Sequence, residues 1–192
     1  MKKKAKKKKK NVAKKRGKQK SLSLPWLPLL IGFAILAFDQ VTKYLAHTGL
    51  PRMTHEAQWY PYNGIGIFEN FLGVEFSIVH AINFGAAWGM FSGFQIPLLI
   101  LRVLMIMGIC LYLILYNTNK ALILPFTFVI AGAIGNIIDY FVYGHVVDMF
   151  HFILWGYDYP VFNIADAFIC IGMVLLIVIP WCQSRGYITC KS

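Results

Sequence analysis

Four apolar runs, each about 20 residues long and bounded by turn or charge signals, set the pattern of the chain: about Leu24 to Ala46, Ile96 to Tyr116, Ala121 to Tyr140 and Val161 to Cys182. A bilayer core roughly 30 Å thick needs about 20 apolar helical residues, so each run predicts a membrane-spanning helix. Pro25, Pro97 and Pro160 sit at or just before the starts of runs, where a missing N–H costs least. Between the first two runs the pattern changes. Apolar positions partly alternate from Val74 to Ile82, and Gly64, Gly66 and Gly73 stand nearby, which predicts a surface strand or hairpin rather than a fifth span.

Charge divides the chain into parts. Of the 19 Lys and Arg, 13 lie in residues 1 to 20, which hold no acid, while residues 21 to 192 carry 6 basic against 8 acidic side chains. The formal charge of +11 on a chain that is 58% hydrophobic therefore belongs to a tail, and a water-soluble enzyme or compact nucleic-acid-binding fold is excluded. Three segments follow: a lysine-rich cytoplasmic tail (1–23), disordered and held to anionic lipid; a four-helix membrane domain (24–182); and a short cytoplasmic tail (183–192). The first run ends in Asp39, Gln40 and Lys43 with no small-x-small cleavage pattern, so it reads as a retained helix and not a signal peptide. Lys and Arg crowd the N-terminal tail, the turn at 117–120 and the C-terminal tail, which places both termini inside. The fold class is an all-α polytopic membrane protein. Trp59, Tyr60, Tyr62, Trp155, Tyr157 and Tyr159 suit the outer interface, and Trp26 and Trp181 the inner one.

The polar residues within the runs sit at one level. A rise of 1.5 Å per residue puts Asp39 about 22 Å up the first helix and Asp139 about 27 Å up the third. Arg102 falls about 9 Å below the outer end of the second, and Asp166 lies five residues into a run that starts outside. Ionisable groups in a span cost roughly 2.5 to 3.5 kcal/mol at its centre, and scaffolding alone does not require several at one depth. Asp39 and Lys43 stand at i and i+4, the spacing of an ion pair. Asn136 and Asp139 share a helix face, and Asn163 and Asp166 repeat that spacing, so two helices each offer an amide one turn from a carboxylate.

Asp148, in the outer segment GHVVDMFHF, and Asp166, at a helix start, are the carboxylates placed for chemistry. Two aspartates sharing one proton act as general base and general acid: one takes a proton from water, the other gives one to a carbonyl oxygen. Spacing alone does not fix their separation. Other chemistries fare worse. His145, Asp148 and His151, three apart, would line one face of a helix as metal ligands, but only one acid is present and no HExxH. His47, His55 and His80 read as ordinary outer-surface residues. No CxxC pair is present, so neither a structural disulfide nor a zinc site is expected from the cysteines. No GxSxG appears, and the small residues around Gly132 read as helix contacts. A proton- or ion-coupled transporter is the competing class; it calls for an inverted repeat or broken helices about the midplane, whereas the polar residues here lie toward one side. A lipid-anchored assembly factor is a third.

These residues resemble lipoprotein signal peptidase (signal peptidase II), the bacterial inner-membrane aspartic peptidase family. FDQVTKYLA (38–46) is similar to its DQxTK box, NFGAAWGMF (83–91) to NxGAAF, and GAIGNIIDY (132–140) to GNxxDR. VVDMFHF (146–152) resembles the VVDF box and FNIADAFICIG (162–172) the FNxAD box, so the resemblance covers about residues 25 to 182. It implies that Asp148 and Asp166 are the catalytic dyad and that Asp39, Lys43, Asn83, Asn136, Asp139 and Asn163 support the site or bind substrate. It also implies a diacylglyceryl-modified prolipoprotein as substrate, cut N-terminal to the lipidated cysteine, with no metal or organic cofactor and no nucleic acid. A monomer, sensitivity to globomycin, a periplasmic active site and a small periplasmic β-cradle from the 60 to 94 region belong to the same expectation. Where the family usually places a basic residue after the GNxxD aspartate, this chain has Tyr140, which supplies no permanent charge. Arg102, at a matching depth on another helix, is the candidate substitute.

Overall fold

A computed structural model describes residues 26–54, 59–85 and 93–187. The lysine-rich tail, His55, most of the 83–91 motif and the end of the C-terminal tail lie outside these residues. In chain order the elements are α1 (Trp26–Gly49), β1 (Ile65–Phe71), β2 (Val74–Asn83), α2 (Gln95–Leu115), a 3-10 turn (Lys120–Leu122), α3 (Ile123–Tyr143), β3 (Val146–Leu154), β4 (Tyr157–Asp158) and α4 (Ile164–Ser184). All four helices are long and apolar enough to cross a membrane, and each begins and ends within about three residues of the run that predicts it.

The description as all-α is too narrow. A four-stranded antiparallel sheet, in the order β1-β2-β3-β4, sits at one end of the bundle. The predicted hairpin supplies β1 and β2, but β3 and β4 come from residues 146–158 rather than from the 60–94 region. Val146–Leu154 forms a strand because Val, Phe and Ile suit a pleated, half-buried surface. Trp155 and Gly156, both at positive φ, then reverse the chain into β4. The register pairs Ala81 with Asp148 and Asn83 with Val146, after a bulge that gives β2 one extra residue between Ile78 and Ala81. Such a bulge re-aims the side chains next to it. Here it precedes Asn83, which faces the aspartates.

α3 is the centre of the helix packing, against α1 on one side and α4 on the other. Small residues allow close approach: a Cβ at Gly132 would run into the Ala165 carbonyl of α4, and one at Gly135 would lie 2.6 Å from an Asp39 carboxylate oxygen of α1. Gly144 ends α3 in the left-handed conformation, φ 76, where a glycine carries no Cβ penalty, and turns the chain directly into β3. Phe33, Leu45, Phe141 and Ile177 face outward, as lipid-facing side chains do. α2 stands apart: it leans on α3, and none of its residues is buried.

Candidate active site

α1 carries three polar residues into the bundle. Lys43, fully buried, lies 2.8 Å from Asp39 one turn earlier and 2.7 Å from Asp139 of α3. A buried ammonium needs paired anions and further acceptors, and Asn136 Oδ1 supplies one at 2.9 Å. Gln40 donates to Asp139 at 2.9 Å and to Asp39 at 3.2 Å. The carboxylate oxygens also tie in other elements. Asp39 Oδ1 accepts the Ala165 N–H at 2.8 Å, in the first turn of α4, where donors have no helical partner. Asp139 Oδ2 accepts the Val147 N–H of β3 at 3.3 Å. Four elements therefore meet on one ion cluster.

Asp148 and Asp166 meet beside it through two amides. Asn163 caps α4: its Oδ1 accepts the Asp166 N–H at 2.9 Å, and Asp166 reaches back to the Asn163 N–H. With its oxygen committed, Asn163 Nδ2 faces Asp148 and donates at 2.7 Å. Asn136 obeys the same logic. Lysine can only donate, so Asn136 Oδ1 must face Lys43, and its Nδ2 donates to Asp166 at 2.8 Å. Each side-chain amide thus donates to a carboxylate of another element, Asn136 of α3 to Asp166 and Asn163 to Asp148 of β3, where the spacing pointed to the carboxylate on its own helix. Asn83 Nδ2 holds the second oxygen of Asp148 at 2.9 Å. Among the described residues no Lys or Arg lies within ion-pair distance of either carboxylate. Asp148 is only 2% exposed; burial first, and the neighbouring charge of Asp166 second, push its carboxyl up to about 7 against the opposing amide donors.

All eight residues expected at the site are brought together. Arg102 is not. It reaches the Gly85 carbonyl at 3.4 Å, and the cation beside Asp139 is Lys43; axial depth gave Arg102 the right height but not the right side of the bundle. Gln40 was passed over, although an amide flanked by Asp39 in an apolar helix is itself a signal of buried polar contact. The line of His145, Asp148 and His151 does not form, because Asp148 and His151 lie on a strand and His151 pairs with Asp158 at 2.9 Å. His47 and His80, expected on the surface, instead meet His145 at the junction of α1, β2 and the α3–β3 turn, and burial pushes the imidazoles of His80 and His145 down.

Comparison with known proteins agrees with this architecture. A family model described as signal peptidase (SPase) II matches residues 31–182. The lipoprotein signal peptidase of Chlamydia trachomatis serovar D is 36% identical over 155 residues, 79% of this chain and 89% of the relative. That of Chlamydia muridarum is 34% identical over 153 residues, 77% and 87%. Two solved structures described as a bacterial membrane enzyme superpose with TM-scores of 0.72 and 0.65 at 28% and 31% identity. They cover 88% and 81% of this chain, and 96% and 92% of their own. With the family model spanning most of the helical bundle, the chain belongs to the signal peptidase II family.

Proposed function

We propose that the chain is an aspartic endopeptidase of the bacterial inner membrane that removes the signal peptide from diacylglyceryl-modified prolipoproteins, cutting N-terminal to the lipidated cysteine. The reading rests on one observation: Asp148, buried, and Asp166, half-buried, are linked through Asn163 and Asn136 and lack a cation at ion-pair distance, with Asp148 holding its proton up to about pH 7. One carboxylate takes a proton from water as it attacks the scissile carbonyl carbon. The protonated partner donates to the carbonyl oxygen, and return of a proton to the amide nitrogen breaks the C–N bond. Asn83, Asn136 and Asn163 aim the carboxylates; Asp39, Lys43 and Asp139 hold the helices that carry them. The enzyme works as a monomer with both termini cytoplasmic and the sheet on the periplasmic side, an orientation supported by the 13 basic residues before the first span. Lipid tails of the substrate lie against the apolar outer faces of the bundle.

Purified full-length protein is incubated side by side with a diacylglyceryl-modified precursor and its unmodified form. Cleavage of the modified form alone is the expected result. Cleavage of neither, by protein that remains folded, removes the assignment.

A further inference from the structure

The junction of α1 with the sheet holds a second cluster, separate from the aspartates. We propose that His47, His80 and His145 form a binding site for a divalent transition-metal ion of the zinc type. One ligand nitrogen from each of the three rings lies within 4.8 Å of the others. Metal–nitrogen bonds of about 2.0 to 2.1 Å in a tetrahedral site bring such nitrogens to roughly 3.4 Å, so small ring rotations close the cage. Three nitrogens there, His47 Nδ1, His80 Nε2 and His145 Nε2, are buried without a hydrogen-bond partner. Three unpartnered imidazole nitrogens on rings gathered this closely are a costly way to fill a core, and a ready donor set for a cation.

The surroundings fit. His80 Nδ1 lies 3.3 Å from the Leu50 carbonyl, an acceptor, so Nδ1 carries the proton and the Nε2 lone pair is free; orienting contacts of this kind accompany ligating histidines. The rings of Tyr143, 4.5 Å from His47, and Phe84, 5.7 Å from His145, wall the site. His80 and His145 are buried while His47 is half-buried, so an ion would arrive past the His47 ring. An all-imidazole set selects zinc, cobalt, nickel or copper over magnesium or calcium, which prefer oxygen.

The site has a bearing on the aspartates through the chain. His47 follows Lys43 by one helical turn, His80 precedes Asn83 by three residues, and His145 precedes Asp148 by three. A bound ion would pin the end of α1, the bulge of β2 and the start of β3 to one another. It acts as a clamp on the elements that aim Asp148 and takes no part in the reaction.

The test uses untagged full-length protein in detergent, stripped with a chelator and titrated with Co2+, then Zn2+. One equivalent of Co2+ giving the visible bands of a tetrahedral site, displaced by Zn2+, is expected, together with a rise in thermal midpoint on adding Zn2+. His47→Gln, at the least buried of the three positions, and His145→Gln each weaken binding by at least the roughly 10- to 100-fold that loss of a supporting group costs, and remove the Zn2+ shift. Asp166→Asn keeps both signals, which separates this site from the carboxylates. Absence of saturable binding by the wild type, or binding lost in Asp166→Asn but kept in both histidine variants, overturns the proposal.

Discussion

Asp39 and Asp139 share an ammonium, whereas Asp148 and Asp166, at the same end of the bundle, are held by amides. The residue type is the same and three of the four carboxylates are buried, Asp166 being half-buried, so the main difference lies in the partner. An ammonium cancels charge and favours ionised carboxylates. An amide donates a hydrogen bond and no charge, so two carboxylates joined only by amides keep their mutual repulsion and hold a proton between them. In the proposed reading one pair is a strut between helices and the other is the pair that exchanges protons. Asn136 stands between them, its oxygen on Lys43 and its NH2 on Asp166, so the strut also aims the reactive pair.

The contrast can be broken most sharply at the reactive pair. Asp148→Asn or Asp166→Asn lowers cleavage of a lipidated precursor by at least about 10^2- to 10^4-fold, the usual worth of a general acid or base, while the protein still inserts and melts cooperatively. Full activity in either variant would erase the distinction. Lys43→Met does the opposite: it strands Asp39 and Asp139 without a cation and costs about 3 to 5 kcal/mol, read as lost thermal stability in detergent. A variant as stable as the parent would show that the cluster is no strut. Asn163→Ala acts on both properties more gently. It removes a helix cap worth about 1 kcal/mol, and it withdraws a donor that favours ionised Asp148, so the alkaline limb of the rate profile moves above about pH 7. A limb that moves down, or stays, contradicts the amide's assigned role. The remaining test is stability against pH. A carboxyl raised on folding stabilises fully below its unfolded value near 3.9 and loses that contribution as pH rises through about 7, so Asp148→Asn flattens the decline over this interval. A melting profile that falls equally in variant and parent would assign the decline to another group.

The membrane made much of this legible. Against apolar spans, Asp39, Lys43, Asn136, Asp139 and Asp166 stand out, and helical rise converts their positions into one depth. Rise gives height and not azimuth, which is why depth alone singles out Arg102 as the cation for Asp139, where the structure places Lys43. The strand at Val146–Leu154 is not legible in the sequence, because a short apolar run of nine residues carries no helical period and its sheet partner, β2, lies more than sixty residues earlier. The orientations of Asn136 and Asn163 were hidden for another reason: each follows from a contact across elements, and sequence spacing reports only contacts within one. The histidine cluster fails on both counts, since its members come from a helix end, a bulge and a turn.

α2 has 21 residues and no buried side chain, and its length of about 31 Å nearly equals the thickness of a bilayer's hydrocarbon layer. With α3 as its main protein neighbour, such a segment has few contacts to oppose the tilt that a thinner bilayer favours. Shorter-chain phospholipids will therefore lean α2 before they disturb the tightly packed trio of α1, α3 and α4, and because Arg102 on α2 reaches the Gly85 carbonyl two residues after Asn83, lipid thickness becomes a dial on the approach to the aspartates.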